Sequence, residues 1–390
     1  MIETSELGSN SVEDEEANHA TKIWGVNKYR LNLMRQKISD PPRTQNNGLD
    51  LEVLLRAIQP LEMKARECYS QIIHLDTCEF VEMMVLDGVF IIELFRKVGE
   101  IVGFEADDPI VTMAWIIPFF YRDLLRLENQ IPFFVLECLF EITRTPGEES
   151  GPSLSKLALD FFNNALQRPD YIIARHNNGK AKHLLDLVRS SFIDSEQAQP
   201  RCVDTSTPMI QSVSKLRRAG IKLGQGDPAD SFLVVKFKNG VIEMPTITID
   251  DTMSSFLLNC VAFEQCHSGS SNHFTTYATL LDCLINTIKD VEYLCDCNII
   301  ENYFGTDSEV ARFVNDLGKE VAFDIERCYL SEMFSDVHQY YKNRWHLQWA
   351  SFKFTYFSTP WSFISAMAAL IILLLTVAQT FYTIYGTYKT

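Results

Sequence analysis

The sequence predicts a mainly α-helical soluble body with a small β-hairpin element, followed by one C-terminal transmembrane helix. Three observations predict this fold class. Apolar residues recur at helical spacing from Leu49 onward, Asn239 and Gly240 lie between two β-rich runs, and residues 354–388 include no charged side chain. Hydrophobic residues make up 46% of the 390 residues, which is enough for a sizeable packed core.

The charge balance constrains the partners of the chain. A formal net charge of −16 argues against a nucleic-acid partner, since such proteins present a basic face. Residues 1–20 contain six acidic residues and no Lys or Arg, so we expect a disordered acidic tail there. Residues 21–48 are predicted to be a polar linker. Ten Cys without paired spacings favour a reducing, cytosolic compartment over a disulfide framework.

Residues 49–194 are predicted to form a helical N-terminal lobe. The apolar spacing is helical from Leu51 through Ile72 to Phe80, and Pro60 separates two helices within this stretch. Further helices of this lobe are predicted in residues 86–100, 153–166 and 181–192.

The tetrapeptide Ile-Pro-Phe-Phe occurs twice in this lobe, at residues 117–120 and 131–134. Each proline suits the first turn of a helix, where its missing N–H costs nothing, so we predict two helices with a polar junction between them. We expect Asn129 to take the left-handed position after the first helix and Gln130 to bond a free N–H or carbonyl. The residues assigned to this structural motif are Arg122, Asp123, Glu128, Asn129, Gln130 and Pro132.

Residues 195–209 are predicted to be a linker, and residues 210–352 a C-terminal lobe. A β-hairpin is predicted over residues 232–249, with Pro245 making its second strand an edge or a bent strand. Asp250 is expected to cap the helix that follows. Helices are predicted in residues 254–266, 277–297 and 309–323, with a basic and aromatic helix running toward the membrane.

Two patterns in the C-terminal lobe suggest ligand sites but have simpler structural explanations. Cys260, Cys266, His267 and His273 lie within 14 residues, yet they lack the paired short spacing of structural zinc, so no metal is expected. Residues 224–229 match G-x-G-x-x-A, but a strand is expected after them. The dinucleotide fingerprint instead follows a strand and opens a helix, so no cofactor is predicted.

No catalytic residues are assigned. The sequence contains no Walker A, G-x-S-x-G, HExxH or protein kinase signature. The acid pairs at residues 107–108 and 250–251 both precede predicted helices, where carboxylates satisfy free N–H groups. His176 and His183 are interpreted as surface histidines beside a turn and a helix start.

Residues 353–390 are predicted to be a membrane anchor whose span runs from Phe363 to Tyr385. This length crosses a hydrocarbon core of about 30 Å at about 1.5 Å per residue, and aromatic residues crowd both ends. The positive-inside rule then favours a cytosolic location for the bulk of the chain, at a plasma membrane or an endomembrane, with the opposite orientation as the alternative. A buried core helix is the alternative. The basic residues nearest the span are Lys342, Arg344 and Lys353 before it and Lys389 after it.

Three separated segments carry a family resemblance. They are residues 86–95, which include Asp87 and Gly88; residues 122–134; and residues 259–266, which include Asn259, Glu264 and Gln265. These segments, their order and the C-terminal span resemble the plant domain-of-unknown-function family two-four-seven, over roughly residues 50–385. The Ser-Ile-Gly-Pro and Met-Glu-x-His-Lys segments typical of the N-terminus of that family are not found, and residues 23–36 are interpreted as a diverged remnant.

The resemblance implies a single-pass plant membrane protein of unestablished biochemistry. Grass members of the family are associated with self-incompatibility, which implies recognition between cells. Together with the anchor and the missing catalytic motifs, this favours a non-catalytic recognition or signalling protein that binds a lipid bilayer and a protein partner. A membrane-held enzyme of unrecognised type and an endomembrane scaffold are the alternatives.

Overall fold

The computed structural model describes residues 51–103, 116–144, 148, 150–168, 181–193, 209–267, 269–319, 321–324, 327–342 and 360–388. The chain divides into two compact units, unit 1 (Met1–Phe192) and unit 2 (Ile193–Thr390). The predicted acidic tail, the first linker, almost all of the linker at residues 195–209, the acid pair at residues 107–108 and His176 lie outside the described residues.

Helices make up the regular structure of the described part of unit 1. They are α1 (Leu51–Ile58), α2 (Glu62–Arg66), α3 (Thr77–Val98), α4 (Ile117–Asp123), α5 (Phe133–Ile142), α6 (Leu154–Leu166) and α7 (Leu184–Ser190), with 3₁₀ turns at Gln59–Leu61 and Leu127–Asn129. Pro60 lies in the first of these turns, between α1 and α2. The predicted break at this proline is therefore confirmed.

Helix α3 forms the centre of unit 1 and is fixed at its start by its own sequence. The Glu79 N–H donates to the Asp76 side chain, and the Asp76 N–H donates to the Glu79 side chain, which is a capping box. Most side chains from Phe80 to Lys97 are buried. Helices α1, α5 and α6 pack against α3, so the buried helix predicted at residues 86–100 is confirmed.

The helical spacing predicted through Ile72 is wrong, because α2 ends at Arg66 and a loop leads to α3. Arg66 holds this loop, since its guanidinium donates to the carbonyls of Ile73, Leu75 and Asp76. The side chain of Ile72 is exposed to solvent. Apolar residues of this loop match the helical period by coincidence.

Unit 2 combines helices with two small sheets. Its elements are α8 (Val213–Arg218), β1 (Lys222–Gln225), β2 (Lys236–Lys238), β3 (Val241–Met244), β4 (Ile247–Ile249), α9 (Asp251–Cys266), α10 (His273–Leu284), α11 (Ile288–Asp296), β5 (Ile300–Asn302), α12 (Asp307–Gly318), α13 (Ser331–Lys342) and α14 (Pro360–Tyr388). Asp250 caps α9 by accepting from the Met253 N–H at 2.6 Å, as predicted.

The predicted hairpin forms between β2 and β3, which pair antiparallel. Asn239 and Gly240 have φ values of 51° and 77°, the left-handed turn that Asn-Gly favours. The hairpin is shorter than residues 232–249, because β3 ends before Pro245, which has no N–H to continue the ladder. Strand β4 instead pairs parallel with β5 in a separate two-stranded sheet.

Strand β1 was not predicted from the sequence. It pairs parallel with β3, so β3 is the central strand of the order β1-β3-β2 and not an edge. Gly224 therefore lies in a strand, and a turn at residues 227–230 follows instead of a helix. Gly226 has a packing role, since a Cβ there would lie 2.7 Å from the Pro245 nitrogen.

One helix predicted over residues 277–297 is two helices. Helix α10 ends at Leu284 and α11 begins at Ile288. Thr287 and Asp290 form a capping box that starts α11. The apolar spacing continues on both sides of this start signal, so periodicity alone predicted one helix where the structure has two. Helix α12 likewise ends at Gly318, short of the predicted residue 323.

The C-terminal helix α14 has the length and composition of a membrane span. Its segment Phe363–Ile384 is 22 residues long, and none of it is buried against the rest of the chain. The hydroxyls of Thr376 and Thr380 donate to carbonyls one turn earlier, at 2.8 Å each. Such bonds satisfy a hydroxyl within an apolar medium. The prediction of a single apolar C-terminal helix is confirmed.

Candidate functional site

Gln130, at the predicted junction in unit 1, is buried and uses both polar atoms of its side chain. Its Nε2 donates to the carbonyls of Leu124 at 2.9 Å and Arg126 at 2.7 Å, just after α4. Its Oε1 accepts from the Leu185 N–H at 3.0 Å, in the first turn of α7. Gln130 thus satisfies free carbonyls at the end of one helix and a free N–H at the start of another. The predicted role of this amide is confirmed.

The backbone around Gln130 is bonded as well. The Tyr69 hydroxyl donates to the Gln130 carbonyl at 2.9 Å, and the Phe133 N–H donates to the Lys182 carbonyl at 2.7 Å. Burial raises the pKa of Tyr69, which therefore stays a neutral donor. The loop after α2, the start of α5 and the approach to α7 meet at this one junction.

Asn129 does not take the left-handed position predicted for it. Its φ is negative, and it ends the 3₁₀ turn Leu127–Asn129. Its amide donates to the carbonyl of Asp123 at 3.0 Å and to the carboxylate of Asp123 at 3.2 Å, on the exposed side of the junction. Arg126 and Glu128 form an exposed ion pair at 2.6 Å, a type of contact that contributes about 0–1 kcal/mol.

The Asp87-Gly88 segment lies where α3 contacts α5. A Cβ at Gly88 would lie 2.4 Å from Leu139 Cδ1, so glycine permits this approach of the two helices. Pro132 is the N-cap residue of α5, which confirms a proline-started helix. The guanidinium of Arg122, in the last turn of α4, lies 5.2 Å from the Phe119 ring centroid. Gly88 thus permits a contact between helices and Pro132 starts a helix, whereas Arg122 lies against a ring of its own helix.

Glu264, in the third of the segments that carry the family resemblance (residues 259–266, the third signature segment), is 4% exposed and caps the start of α10. Its carboxylate accepts from the Phe274 N–H at 3.2 Å and the Thr275 N–H at 2.7 Å. N–H groups in the first turn of a helix have no acceptor within the helix, and a carboxylate also complements the positive end of the helix dipole. Glu264 is therefore a cap supplied by the neighbouring helix α9.

The two remaining polar residues of this segment also bond to backbone. Gln265 accepts from the Ala322 N–H at 3.1 Å and donates to the Ala322 carbonyl at 3.3 Å. The Asn259 amide donates to the Ser255 carbonyl at 2.7 Å, one turn earlier in α9. Gln265 thereby fixes the chain that follows α12.

The four weak metal candidates are used in separate ways. Cys260 is buried in α9, whereas Cys266 is exposed at its end. The Nδ1 atom of His267 accepts from a nearby backbone N–H at 3.1 Å. The His273 ring stacks on Tyr329 with a centroid separation of 4.5 Å. In the part of the chain that the structure describes, no three His, Cys, Asp or Glu side chains are grouped to hold one ion.

A buried cluster beside α10 was missed by the sequence reasoning. Tyr277 is fully buried, Cys328 is also buried, and the Tyr329 hydroxyl donates to the Leu233 carbonyl at 2.7 Å. Burial raises the pKa of Tyr277 and raises that of the Cys328 thiol to about 11. Both groups therefore stay protonated at neutral pH, which deactivates them as nucleophiles. Their positions in sequence share no spacing that could have predicted the cluster.

A second unpredicted cluster surrounds Arg96, which is 1% exposed in unit 1. Its Nη1 donates to Glu93 at 2.9 Å and Thr143 at 3.0 Å, and its Nη2 donates to Glu148 at 3.1 Å. The cavity beside it holds about 110 Å³ and is lined mainly by apolar residues. Ligand pockets usually measure about 300–1,000 Å³, so this cavity is smaller than a usual ligand pocket.

Comparison with known proteins gives this chain clear relatives. The family model DUF247, described as a plant protein of unknown function, matches residues 18–375. The UPF0481 protein At3g47200 of Arabidopsis thaliana is 37% identical over 360 residues, which cover 86% of this chain and 74% of that protein. The putative UPF0481 protein At3g02645 of the same plant is 21% identical over 464 residues, covering 94% and 85%.

No solved structure matches this chain. The family match begins at residue 18, well before the residue 50 expected from the signature segments. It therefore includes residues 23–36, which had been interpreted as a diverged remnant.

Proposed function

This chain belongs to the DUF247 family of plant proteins, whose function is unknown, and on that premise we propose that it is a membrane-anchored recognition or signalling protein without catalytic activity. The observation that carries the proposal is how the signature side chains are used. Gln130, Glu264 and Gln265 each bond backbone groups at helix ends or in a connecting segment. A catalytic acid or base must instead exchange a proton with a substrate within hydrogen-bond reach.

Helix α14 supports the membrane part of the proposal. The segment Phe363–Ile384 contains 22 residues, which at about 1.5 Å per residue span about 33 Å. The hydrocarbon core of a bilayer is about 30 Å thick. The basic residues that precede the helix favour a cytosolic location for the bulk of the chain.

A membrane-held enzyme is the second candidate, and the buried cluster at Tyr277 and Cys328 is the observation in its favour. Perturbed pKa values gather at functional sites. The direction of these shifts supports a structural role, however, because both pKa values are raised by burial. An activated Cys nucleophile has a lowered pKa.

The anchor is tested by comparing three forms of the protein in plant cells: the full chain, a deletion of residues 361–390, and the double variant Leu373→Arg/Leu374→Arg. We expect only the full chain to stay with carbonate-washed membranes. Each Arg near the centre of a span costs about 2.5–3.5 kcal/mol of insertion free energy. If the deletion variant still pellets with washed membranes, the anchor assignment is wrong.

Recognition is tested by proximity labelling with the tag on each terminus in turn, followed by binding measurements with the purified neighbour. Tyr277→Phe and Cys328→Ala serve as matched variants, since they remove one hydroxyl and one thiol. We expect the dissociation constant for the neighbour to be the same in both variants as in the wild type. A turnover of any substrate that either variant abolishes without unfolding the chain would establish the enzyme instead.

A further inference from the structure

Arg168, just after α6 in unit 1, is a buried cation with unusual bonding. It is 9% exposed, and its guanidinium lies 4.2 Å from the Phe192 ring centroid. Its Nη1 donates to the Ser191 hydroxyl. Its Nε and Nη2 are buried without a hydrogen-bond partner among the described residues. Two donors of one charged group therefore lack acceptors.

Other buried arginines of unit 1 show what Arg168 lacks. Arg96 bonds the carboxylates of Glu93 and Glu148, and Arg189 lies 3.6 Å from the carboxylate of Asp186. A buried charge without a counter-ion and a buried donor without an acceptor both destabilise the folded state. These costs apply to Arg168 as long as no anion meets it.

The local structure holds Arg168 in place. Gln167 ends α6 in the left-handed region, with a φ of 47°. The Asn163 side chain accepts from the Arg168 N–H at 2.8 Å and donates to the Arg168 carbonyl at 2.9 Å. The Ser191 hydroxyl that meets Nη1 donates in turn to the Val188 carbonyl at 2.5 Å. The backbone of Arg168 and the Nη1 atom of its side chain are thus held in place before any ligand binds.

The two donors without acceptors lie on the same edge of the guanidinium. In arginine, the Nε–H and one Nη2–H point in the same direction and match the two oxygens of a carboxylate or phosphate group. A neutral acceptor would satisfy one donor but would leave the buried charge uncompensated. We propose that the Nε–Nη2 edge of Arg168 binds a small oxyanion, through a carboxylate or phosphate group, in a bidentate manner.

The electrostatic setting of Arg168 agrees with this assignment. Burial lowers the pKa of its guanidinium to about 10. An oxyanion on the free edge would favour the charged form and raise this pKa again. The inference is independent of the proposed recognition function, since it rests on the bonding of one side chain.

The test measures the melting temperature of the full chain in detergent at constant ionic strength, while chloride is replaced by phosphate or by succinate. A ligand that binds only the folded state raises this temperature with its concentration. We expect the wild type to respond to at least one of the two anions, and the anion that acts identifies the ligand group. Arg168→Lys keeps the charge but loses the bidentate edge, so its apparent dissociation constant should rise at least about tenfold.

Arg56→Lys is the matched control, because Arg56 is an exposed arginine of the same unit. Its anion response should equal that of the wild type. The proposal is overturned if the wild type responds to neither anion, or if Arg168→Lys responds as the wild type does.

A measurement on the wild type decides the question if Arg168→Lys does not fold. Crystals soaked in selenate should show an anomalous peak at about 3 Å from both Nε and Nη2 of Arg168, a hydrogen-bonding distance. Soaked crystals without a peak at this edge would overturn the proposal.

Discussion

In both units a side chain from another segment caps the start of a helix, but the two capping side chains differ in charge. In unit 1 the neutral amide of Gln130 accepts from the first turn of α7 and also donates to two carbonyls. In unit 2 the carboxylate of Glu264 only accepts, and it takes two N–H groups of α10. An amide has both a donor and an acceptor, so it can join a helix start to a helix end. A carboxylate only accepts, so it can cap a helix start but not a helix end.

The largest expected effect comes from Glu264→Leu, because it leaves two buried N–H groups without an acceptor. At about 1–3 kcal/mol for each group, the free energy of unfolding should fall by about 2–6 kcal/mol. Glu264→Gln keeps one acceptor and should lose about half as much. Urea denaturation of the full chain in detergent measures both values. Equal stability of Glu264→Leu and the wild type would show that the Glu264 carboxylate does not stabilise the start of α10.

The amide junction should respond to Gln130→Leu with a loss of about 2–4 kcal/mol, since the Leu185 N–H and the Leu124 carbonyl lose their partner. The Arg126 carbonyl still accepts from the Asn129 N–H, and an unpaired carbonyl costs less than an unpaired N–H. Gln130→Glu sharpens the comparison. It keeps the acceptor but directs negative charge at the two carbonyls, so it should destabilise more at neutral pH than at pH 4. A variant with the same stability at both pH values would contradict this account of the junction.

Asn129→Leu should cost less than Gln130→Leu, because the Asn129 amide bonds Asp123 on the exposed side. Pro132→Ala should cost less again, since the proline only pre-sets a helix start. Thermal melts of the three variants under one condition give the order. If Asn129→Leu proves the most damaging, the burial of Gln130 does not decide the energetics of the junction.

Both units also contain a glycine at a helix contact. A Cβ at Gly318 would lie 2.5 Å from Asp282 Cγ, and one at Gly88 would lie 2.4 Å from Leu139 Cδ1. Overpacking of this kind costs about 1–3 kcal/mol. Gly318→Ala should fall at the upper end, because the Cβ of Asp282 is also close at 2.7 Å, whereas the end of Leu139 can rotate. A larger loss of stability for Gly88→Ala in urea denaturation would reverse this ranking.

The smallest effect is a dependence on pH in unit 2. Burial opposes ionisation of Asp290, but hydrogen bonds from Ser214, Thr287 and Asn286 outweigh it and lower the pKa of this carboxyl. The unfolded chain therefore binds the proton more readily, so stability from Asp290 is complete above about pH 4 and is lost as pH falls through the folded-state pKa. Asp290→Asn should flatten this acid limb in denaturation curves measured from pH 2 to 6. If the acid limb of Asp290→Asn equals that of the wild type, other carboxylates cause the loss of stability at low pH.

The sequence predicted the elements that carry local signals. The proline before α5, the Asn-Gly turn between β2 and β3, and the Asp250 cap of α9 each depend on residues close in the chain, and each is present. Strand β1 depends on pairing with β3, some 20 residues away, so no local period marked it. The break before α11 was marked by Thr287 and Asp290 but hidden by continuous apolar spacing.

The site residues divide in the same way. The sequence identified Gln130 as a junction residue from its place between two proline-started helices. It did not indicate which N–H the amide would meet, because Leu185 lies 55 residues later. Arg168 and Ser191 are 23 residues apart, and a lone arginine in a sequence reveals neither its burial nor which of its donors find acceptors among the described residues.

The central claim is that Gln130, Glu264 and Gln265 hold helices and a connecting segment together and do not form a reactive site. Amide hydrogen exchange of Gln130→Leu, measured beside binding of the proximity-labelled neighbour, tests this claim most directly. We predict that the Leu185 amide exchanges at least about tenfold faster than in the wild type, that Phe274 and Thr275 are unaffected, and that any loss of neighbour binding follows the loss of stability. Unchanged exchange at Leu185 together with abolished binding would show that Gln130 is a contact site, which would contradict the account.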